Sequence, residues 1–138
     1  MTRRKLGVFD IDPSRPREKT ETDIRNEIAS ALGRIDGVWI HVNTIFEGET
    51  KRKGYVTCGL GEGSPDMVGA VQCAGNFARF FALELKSKAR HVNEADALSE
   101  DQRIWHAMMR KIGGFVATVW SAEEAVAAVE RCRRGERE

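Results

Sequence analysis

Apolar residues recur along the chain with two spacings, and each spacing predicts one kind of element. After Thr20 and Thr22, either of which can cap a helix, apolar residues follow three or four positions apart, which is typical of an amphipathic helix. This first predicted helix buries Ile24, Ile28, Ala31, Leu32 and Ile35. Ser99 and Ser121 are each followed by acidic residues and by apolar residues at helical spacing. They therefore predict the starts of a second and a third helix.

Runs rich in β-branched and aromatic residues predict strands between these helices. The four predicted strands cover residues 38–43, 67–71, 79–86 and 115–120. Residues 72–76 have the length and composition of a hairpin connection between the second and third strands. The polar loop 44–63 holds five glycines and leaves room for a short strand at 55–57. A further short strand is predicted at 6–9.

The order of the predicted elements is helix, strand, strand, strand, helix, strand, helix. The long connection from strand 79–86 to strand 115–120 contains a helix, so these two strands can run parallel. Because strands 67–71 and 79–86 are predicted to form an antiparallel hairpin, we expect an α/β fold with a central mixed β-sheet flanked by helices.

The second predicted helix carries an apolar stripe that we expect to face the core. The stripe consists of Ile104, Trp105, Met108 and Ile112, and Gly113 and Gly114 end the helix. We expect Trp39, Trp105 and Trp120 to lie in the core and not to serve as stacking surfaces. The three histidines lack metal-ligand spacing, so no site is assigned to them.

Composition is that of a globular, single-domain protein. The chain has 138 residues, of which 41% are hydrophobic, and that length supports one adequate core. We expect a polar arm at 1–19, one domain at 20–131 and a polar tail at 132–138. The three cysteines lack CxxC spacing, which argues against disulfides and structural zinc and favours a reducing compartment. No apolar run approaches about 18 residues and no signal-peptide pattern is present, so we expect a cytoplasmic protein without a membrane span.

The net charge of +1 conceals basic clusters at 3–5, 51–53, 86–90 and 131–134. Such clusters can follow the phosphates of a nucleic acid. They are also common on solvated surfaces, so they do not decide the function. A near-neutral total does not exclude nucleic acid, provided that acidic residues gather at a metal site.

Three ionisable residues lie where two neighbouring predicted strands meet. Asp66 opens the second strand, and Glu84 and Lys86 share one face at the end of the third. Two carboxylates converging from adjacent strands suit Mg²⁺ or Mn²⁺, and the carbonyl of Leu85 can add an oxygen ligand. The Lys86 ammonium would then favour hydroxide and stabilise charge on a phosphate, as phosphodiester hydrolysis requires. A structural ion pair between Glu84 and Lys86 is the alternative.

Two further polar residues lie at helix margins. Glu27 borders the buried stripe of the first helix, where the simplest interpretation is a rim glutamate paired with Lys19 or Arg25. Gln102 is the third residue after Ser99, which fits a capping box. Taken alone, neither residue indicates a function.

The ordered set resembles the PD-(D/E)XK nuclease superfamily, whose restriction-endonuclease-like core is αβββαβ with an acidic site on the central hairpin. More narrowly, it resembles the VRR-NUC family, the virus-type replication-repair nucleases. The resemblance covers roughly residues 20 to 130 and rests on Glu27, Gly63-Ser64-Pro65-Asp66, Glu84-Leu85-Lys86, Leu98-Ser99-x-x-Gln102 and the Gly113/Gly114 turn. It implies that Asp66 and Glu84 bind the metal and that Lys86 is catalytic. It also implies that Glu27 is an outer metal ligand through water and that Gln102 supports the site or contacts phosphate.

The function implied by this resemblance is that of a Mg²⁺- or Mn²⁺-dependent DNA endonuclease, structure-selective on branched DNA such as Holliday-junction-like or flap substrates. Short stand-alone members resemble phage and bacterial DNA-repair proteins, so a homodimer in a bacterial cell or phage-infected host is expected. Two other classes remain open from the residues. One is a non-catalytic nucleic-acid-binding module that retains the nuclease fold, and the other is a sheet-based interaction domain.

Overall fold

Helices and strands alternate along the chain. The computed structural model describes residues 19–43, 46–50, 54–58, 60–61, 63–87 and 98–137. The strand predicted at 6–9 lies outside the described residues, as does nearly all of the N-terminal arm. The elements are α1 (Glu21–Gly33), β1 (Val38–Val42), β2 (Phe46–Thr50), β3 (Gly54–Cys58), β4 (Met67–Cys73), β5 (Phe77–Leu85), α2 (Glu100–Lys111), β6 (Phe115–Val119) and α3 (Ala122–Arg133).

A four-stranded mixed sheet in the order β1-β4-β5-β6 forms the centre of the fold. β1 pairs with β4 and β4 with β5 in antiparallel fashion. β5 and β6 are parallel, because the chain crosses over through α2 between them. The predicted α/β fold with a mixed sheet flanked by helices is therefore confirmed.

β2 and β3 form a separate two-stranded antiparallel sheet within the segment that was predicted to be a long loop. The prediction placed only one short strand there, at 55–57. The segment Phe46–Thr50 contains two glutamates and a glycine, residue types that are depleted in strands. Its β-strand character therefore depends on pairing with β3 and was not visible in local composition.

All three helices begin at residues that the sequence indicated. The side chains of Thr20, Ser99 and Ser121 each accept a hydrogen bond from the backbone N–H three residues later, which satisfies a donor that the helix leaves unpaired. At Thr20 and Ser99 the reciprocal bond completes a capping box. None of the helices in the described ranges is long and apolar enough to cross a membrane.

Alternation of side chains along β4 and β5 gives the central sheet two unlike faces. The side chains on the face beneath α1 and α3 include Met67, Val71, Phe81, Leu83, Phe115 and Val119. The opposite face has a smaller cluster of Val68, Ala82 and Val116, packed against Trp105 and Met109 of α2. We call the first the sealed face and the second the open face.

The predicted core face of α2 is wrong. Ile104, Met108 and Ile112 are 60%, 49% and 72% exposed. Of the predicted stripe only Trp105 packs on the sheet, together with Met109 and the buried His106. A spacing of four residues identifies an apolar stripe, but it does not say whether any element covers that stripe. Only one helix lies on the open face in the described part of the chain, so the apolar stripe stays exposed.

The tryptophan prediction holds for one residue and fails for another. Trp120 is buried, with 7% of its surface exposed, as predicted. Trp39 is 62% exposed, because it lies on the edge strand β1, beyond the part of the open face that α2 covers. Trp105 is half-buried, so its exposure is intermediate between those of Trp120 and Trp39.

Candidate active site

The pairing of β4 with β5 brings Asp66 and Glu84 together. Met67 lies opposite Leu83 in this register, so the residues one position further out, Asp66 and Glu84, also face each other across the two strands. The Asp66 Oδ2 accepts a hydrogen bond of 2.9 Å from the backbone N–H of Leu85. That bond fixes the Asp66 carboxylate beside the end of β5.

Glu84 is buried at the end of β5, with 3% of its surface exposed. Its Oε1 accepts a 2.7 Å hydrogen bond from Gln102 Nε2 and lies 3.5 Å from Lys86 Nζ. Its Oε2 has no hydrogen-bond partner among the described residues. Gln102 therefore holds one oxygen of this carboxyl group, and the other receives no hydrogen bond from a donor group among the described residues.

The surroundings of Glu84 disfavour its ionised form. Burial, and after it the neighbouring Asp66 through its charge and hydrogen bonding, raises the pKa of Glu84 to about 8. The positive charge of Lys86 opposes this rise without cancelling it. A carboxyl group whose ionised form is disfavoured by burial and by a neighbouring acid is one that a bound cation would stabilise.

Lys86 is positioned by the parallel pairing of β5 with β6. Its backbone N–H donates a 3.0 Å hydrogen bond to the carbonyl of Val119, which extends the strand ladder by one residue. Lys86 therefore stays two residues beyond Glu84 on the same face. Its side chain is 19% exposed, so the ammonium is within reach of a ligand that enters from solvent.

Gln102 belongs both to the cap of α2 and to the site. Its backbone N–H donates to Ser99 Oγ at 3.2 Å, and its Oε1 accepts from the backbone N–H of Ser99 at 2.9 Å. The other end of the same amide donates to Glu84. The hydrogen bonds of the capping box therefore orient Gln102 toward the carboxylate, and both sequence-based roles, cap and site support, fit one conformation.

The loop before Asp66 is held by contacts from β1 and α2. Asn43 donates from its side chain to Ser64 Oγ at 2.8 Å and to the carbonyl of Pro65 at 2.9 Å. Its backbone N–H donates to the carbonyl of Asp66 at 2.8 Å. Gly63 has φ of +76°, and a Cβ there would lie 2.4 Å from the backbone oxygen of Asp101, so only glycine allows this close approach.

Asn43 was assigned no role by the sequence. It ended a predicted strand, and an asparagine at a strand end is usual for a turn. Its amide is the link between β1 and the loop that carries Asp66.

Glu27 does not line the cleft beside Asp66. Its side chain binds Lys19 Nζ at 2.9 Å and is 45% exposed, which matches the rim ion pair considered from the sequence alone. The small cleft beside Asp66 and Leu85 is lined instead by Glu21, Thr22 and Arg25 of α1. Glu27 follows Arg25 by two residues, or about 200° around the helix axis, and so lies on the side of α1 away from this cleft.

The described residues contain no group of three or more His, Cys, Asp or Glu side chains gathered as for a metal ion. The predicted ligand set is therefore present as a pair, Asp66 and Glu84, with the Leu85 backbone beside it. Oxygen donors of this kind suit Mg²⁺ or Mn²⁺. The unpartnered Glu84 Oε2 gives a direct reason why a cation fits at this position.

His106 is a second buried ionisable group on the open face. It lies one helical turn after Gln102 and is 1% exposed, and neither ring nitrogen meets a hydrogen-bond partner in the ranges described. Burial, followed by the charges of Arg110 and Lys86, lowers the pKa of His106 to about 4. This burial was not visible in the sequence, because a single histidine in an amphipathic helix has no spacing pattern of its own.

Comparisons of this chain with protein-family models, with curated proteins and with solved structures gave no match. What can be said about function therefore comes from the residues and their geometry.

Proposed function

We propose that this chain is a Mg²⁺- or Mn²⁺-dependent endonuclease of the VRR-NUC type, which hydrolyses DNA phosphodiester bonds. The observation that carries the proposal is Glu84, a buried carboxylate with one unpartnered oxygen, next to Asp66 and to the ammonium of Lys86. A buried carboxylate that serves only structure is normally satisfied at both oxygens. An acid pair with an adjacent lysine is suited to bind a cation and a phosphate together.

The residues that would hold the metal are Asp66, Glu84 and the carbonyl of Leu85. When bound, a divalent ion of this kind lowers the pKa of a coordinated water and neutralises charge on the phosphate. Its positive charge would also return the pKa of Glu84 toward that of an ordinary carboxyl group, since an opposite charge favours the ionised form.

The protein's own side chains supply positioning and charge. The Leu85 N–H fixes one oxygen of Asp66, and the Gln102 amide fixes one oxygen of Glu84. Lys86 places a positive charge where negative charge develops on the phosphate, and such preorganised groups contribute much of the rate enhancement in enzymes. The partial exposure of Lys86 leaves it open to a substrate.

Branched DNA as the substrate, and a homodimer as the active form, are parts of the same proposal. The part of the chain that the structure describes contains one such acid pair, so symmetric cleavage of both strands at a junction needs two copies. The rival is a binding module that keeps the fold without the chemistry. A cleavage assay distinguishes the nuclease from the binding module, because only the nuclease breaks phosphodiester bonds.

The test is cleavage of supercoiled plasmid and of labelled duplex, flap and four-way-junction DNA with Mg²⁺ or Mn²⁺ and with EDTA. We expect metal-dependent cleavage that falls at least about 100-fold in Lys86→Ala and in Asp66→Ala. Lys19→Ala is the matched control, because it removes a lysine that pairs with a glutamate outside the site. Circular dichroism confirms that each variant is folded. Cleavage that survives chelation, or that persists in Lys86→Ala, would contradict the proposal.

A further inference from the structure

The open face of the sheet carries an aromatic groove that the acid pair does not account for. Its aromatic side chains are Trp39, His41, Phe80 and Trp105, and Val68 lies at its base. The Trp39 and His41 rings are nearly parallel, with centroids 6.3 Å apart and planes 8° from one another. Trp39 is 62% exposed, so its ring offers a flat apolar surface to solvent.

This groove lies on the same face of the sheet as the acid pair. Phe80 and Glu84 are both even-numbered positions of β5, so they point the same way. Four residues separate them, which is about 13 Å along a strand. On β4, Val68 lies two residues after Asp66, between His41 and Ala82 in the strand register. The groove therefore leads away from the proposed cleavage site along one surface.

A basic pocket continues the groove at its far end. The pocket is lined by Arg79, Arg110, Lys111 and Arg137. It shares Arg79, Gly113 and Gly114 with the groove, so the two are continuous. Arg79 has the parity of the sealed face, and its guanidinium reaches the edge of the sheet, where it donates to the carbonyls of Gly113 and Cys132.

The charges favour a polyanion over a second copy of the chain. Among the described residues that line the groove and the pocket, none is an Asp or a Glu. A symmetric dimer places the same patch of both copies in contact. Pairing of two copies through this surface would therefore bring the cations of one copy against a patch of the other that has no carboxylates. The phosphates of a nucleic acid, in contrast, complement these cations. Exposed rings beside a positive groove are the usual features of sites for single-stranded nucleic acid.

We infer that the groove and the basic pocket bind an unpaired strand of the nucleic acid substrate. Its bases stack on Trp39 and Phe80, and its phosphates reach the basic pocket around Lys111 and Arg137. The relation of this strand to the cleaved bond rests on the proposed nuclease function, but the binding itself does not. The groove thereby favours substrates that have a single-stranded arm next to the cleavage site.

The first experiment measures the fluorescence anisotropy of a labelled oligo(dT) of about 12 nucleotides, a length within the range of single-strand sites. It is done in EDTA, so that no cleavage occurs. We expect Trp39→Ala to weaken binding about tenfold through loss of base stacking, and Trp39→Phe to restore most of it. Phe77→Ala is the matched control and leaves binding unchanged, because Phe77 is 72% exposed but lies at a position of opposite parity on β5.

The second experiment addresses the phosphates. We expect Lys111→Ala/Arg137→Ala to reduce the slope of log affinity against log salt by about 1.4, the value for two lost phosphate contacts on a single strand. Lys19→Ala/Arg34→Ala removes two cations from the ends of α1 and is the matched control. Its salt slope stays that of the original chain.

Three outcomes decide the inference. Equal oligo(dT) affinity of Trp39→Ala and the unmodified chain would overturn it. So would a dimer in sedimentation velocity that Trp39→Ala dissociates without any effect on oligo(dT) binding, since the face would then join two copies. Trp39-dependent binding without cleavage under any metal would support the groove and reject the nuclease, so the two proposals can fail separately.

Discussion

The sealed face and the open face of the central sheet differ in what their side chains do. On the sealed face, Phe81, Leu83 and their neighbours are 0% exposed under α1 and α3. On the open face, small residues such as Ala82 lie under one helix, and the buried polar groups Glu84 and His106 have unpartnered atoms among the described residues. Adjacent residues of β5 therefore have different roles. Those on the sealed face stabilise the fold, and those on the open face belong to the candidate site.

This difference explains why the candidate site lies on the open face. A closely packed face excludes water and ligands, so it cannot admit a substrate. The open face keeps a low-polarity floor, which strengthens electrostatic interactions, and still allows access from solvent. Substitutions on the two faces test whether they differ in this way, and the largest expected effect is in the main core.

Phe81 and Phe80 are neighbours in β5 that point to opposite faces. We expect Phe81→Ala to lower the free energy of unfolding by about 3–5 kcal/mol, because it leaves a cavity in the main core. Phe80, 37% exposed on the open face, is the control, and its replacement by Ala is expected to cost about 1 kcal/mol or less. Urea unfolding followed by circular dichroism measures both. Equal losses would show that the two faces do not differ in packing.

Glu84→Gln tests the cost of the buried acid. We expect DNA cleavage to fall at least about 100-fold, while the metal-free protein gains stability relative to the original chain as pH rises. Unfolded, this carboxyl loses its proton near pH 4.5, but folded it keeps the proton to about pH 8. Because the unfolded state binds fewer protons in that window, stability falls as pH rises, and glutamine removes the effect.

The measurement for Glu84→Gln is urea unfolding in EDTA at about pH 5 and about pH 8, the ends of the window in which this linkage acts. A parallel dependence of stability on pH in variant and original chain would contradict the assigned environment of Glu84. Added Mg²⁺ provides a second readout, because it should raise the Tm of the original chain and not that of the variant.

His106 gives the opposite pH dependence. Its pKa is 6.5 when unfolded and about 4 in the fold, so the unfolded state binds more protons between these values and stability falls as pH drops through them. We expect His106→Leu to remove this loss, which amounts to about 2 kcal/mol near the lower end of the window. The comparison of Tm at pH values from about 4.5 to 7 measures it. Identical acid sensitivity in variant and original chain would show that His106 is not held neutral.

Replacement of Glu27 is expected to have the smallest effect on stability and on cleavage. Its ion pair with Lys19 is exposed, and such pairs contribute about 0–1 kcal/mol, so Glu27→Ala should change stability by less than that and leave cleavage unchanged. Glu21→Ala is the informative partner, because Glu21 lines the cleft beside Asp66. Loss of cleavage in Glu27→Ala alone would restore the outer-ligand role that the family resemblance implies.

The acid pair could be anticipated from sequence because its geometry depends on a local hairpin. Once two strands are joined by a short turn, the alternation of side chains fixes which positions share a face, and Asp66 and Glu84 follow from that. The helix caps were equally predictable, since Thr20, Ser99 and Ser121 act on backbone groups only three residues away. Each of these features depends on contacts within a short stretch of chain or between adjacent strands.

The errors concern contacts between elements that are distant in sequence. The apolar stripe of α2 was correctly located on the helix, but its exposure depends on what else lies on the open face. The rotation of α1 about its axis places Glu21 in the cleft beside Asp66, whereas Glu27 pairs with Lys19. Asn43 and His106 are single polar residues whose partners, or lack of them, appear only when the sheet is assembled.

The double attachment of Gln102 restricts which amino acids position 102 can hold. Glutamate would still close the first turn of α2 but would replace the donor that faces Glu84 with another acid, and asparagine is one methylene too short to span from the cap to the strand. A substitution at position 102 therefore alters both the first turn of α2 and the orientation of Glu84. The side-chain amide of Gln102 therefore belongs both to the start of α2 and to the candidate site.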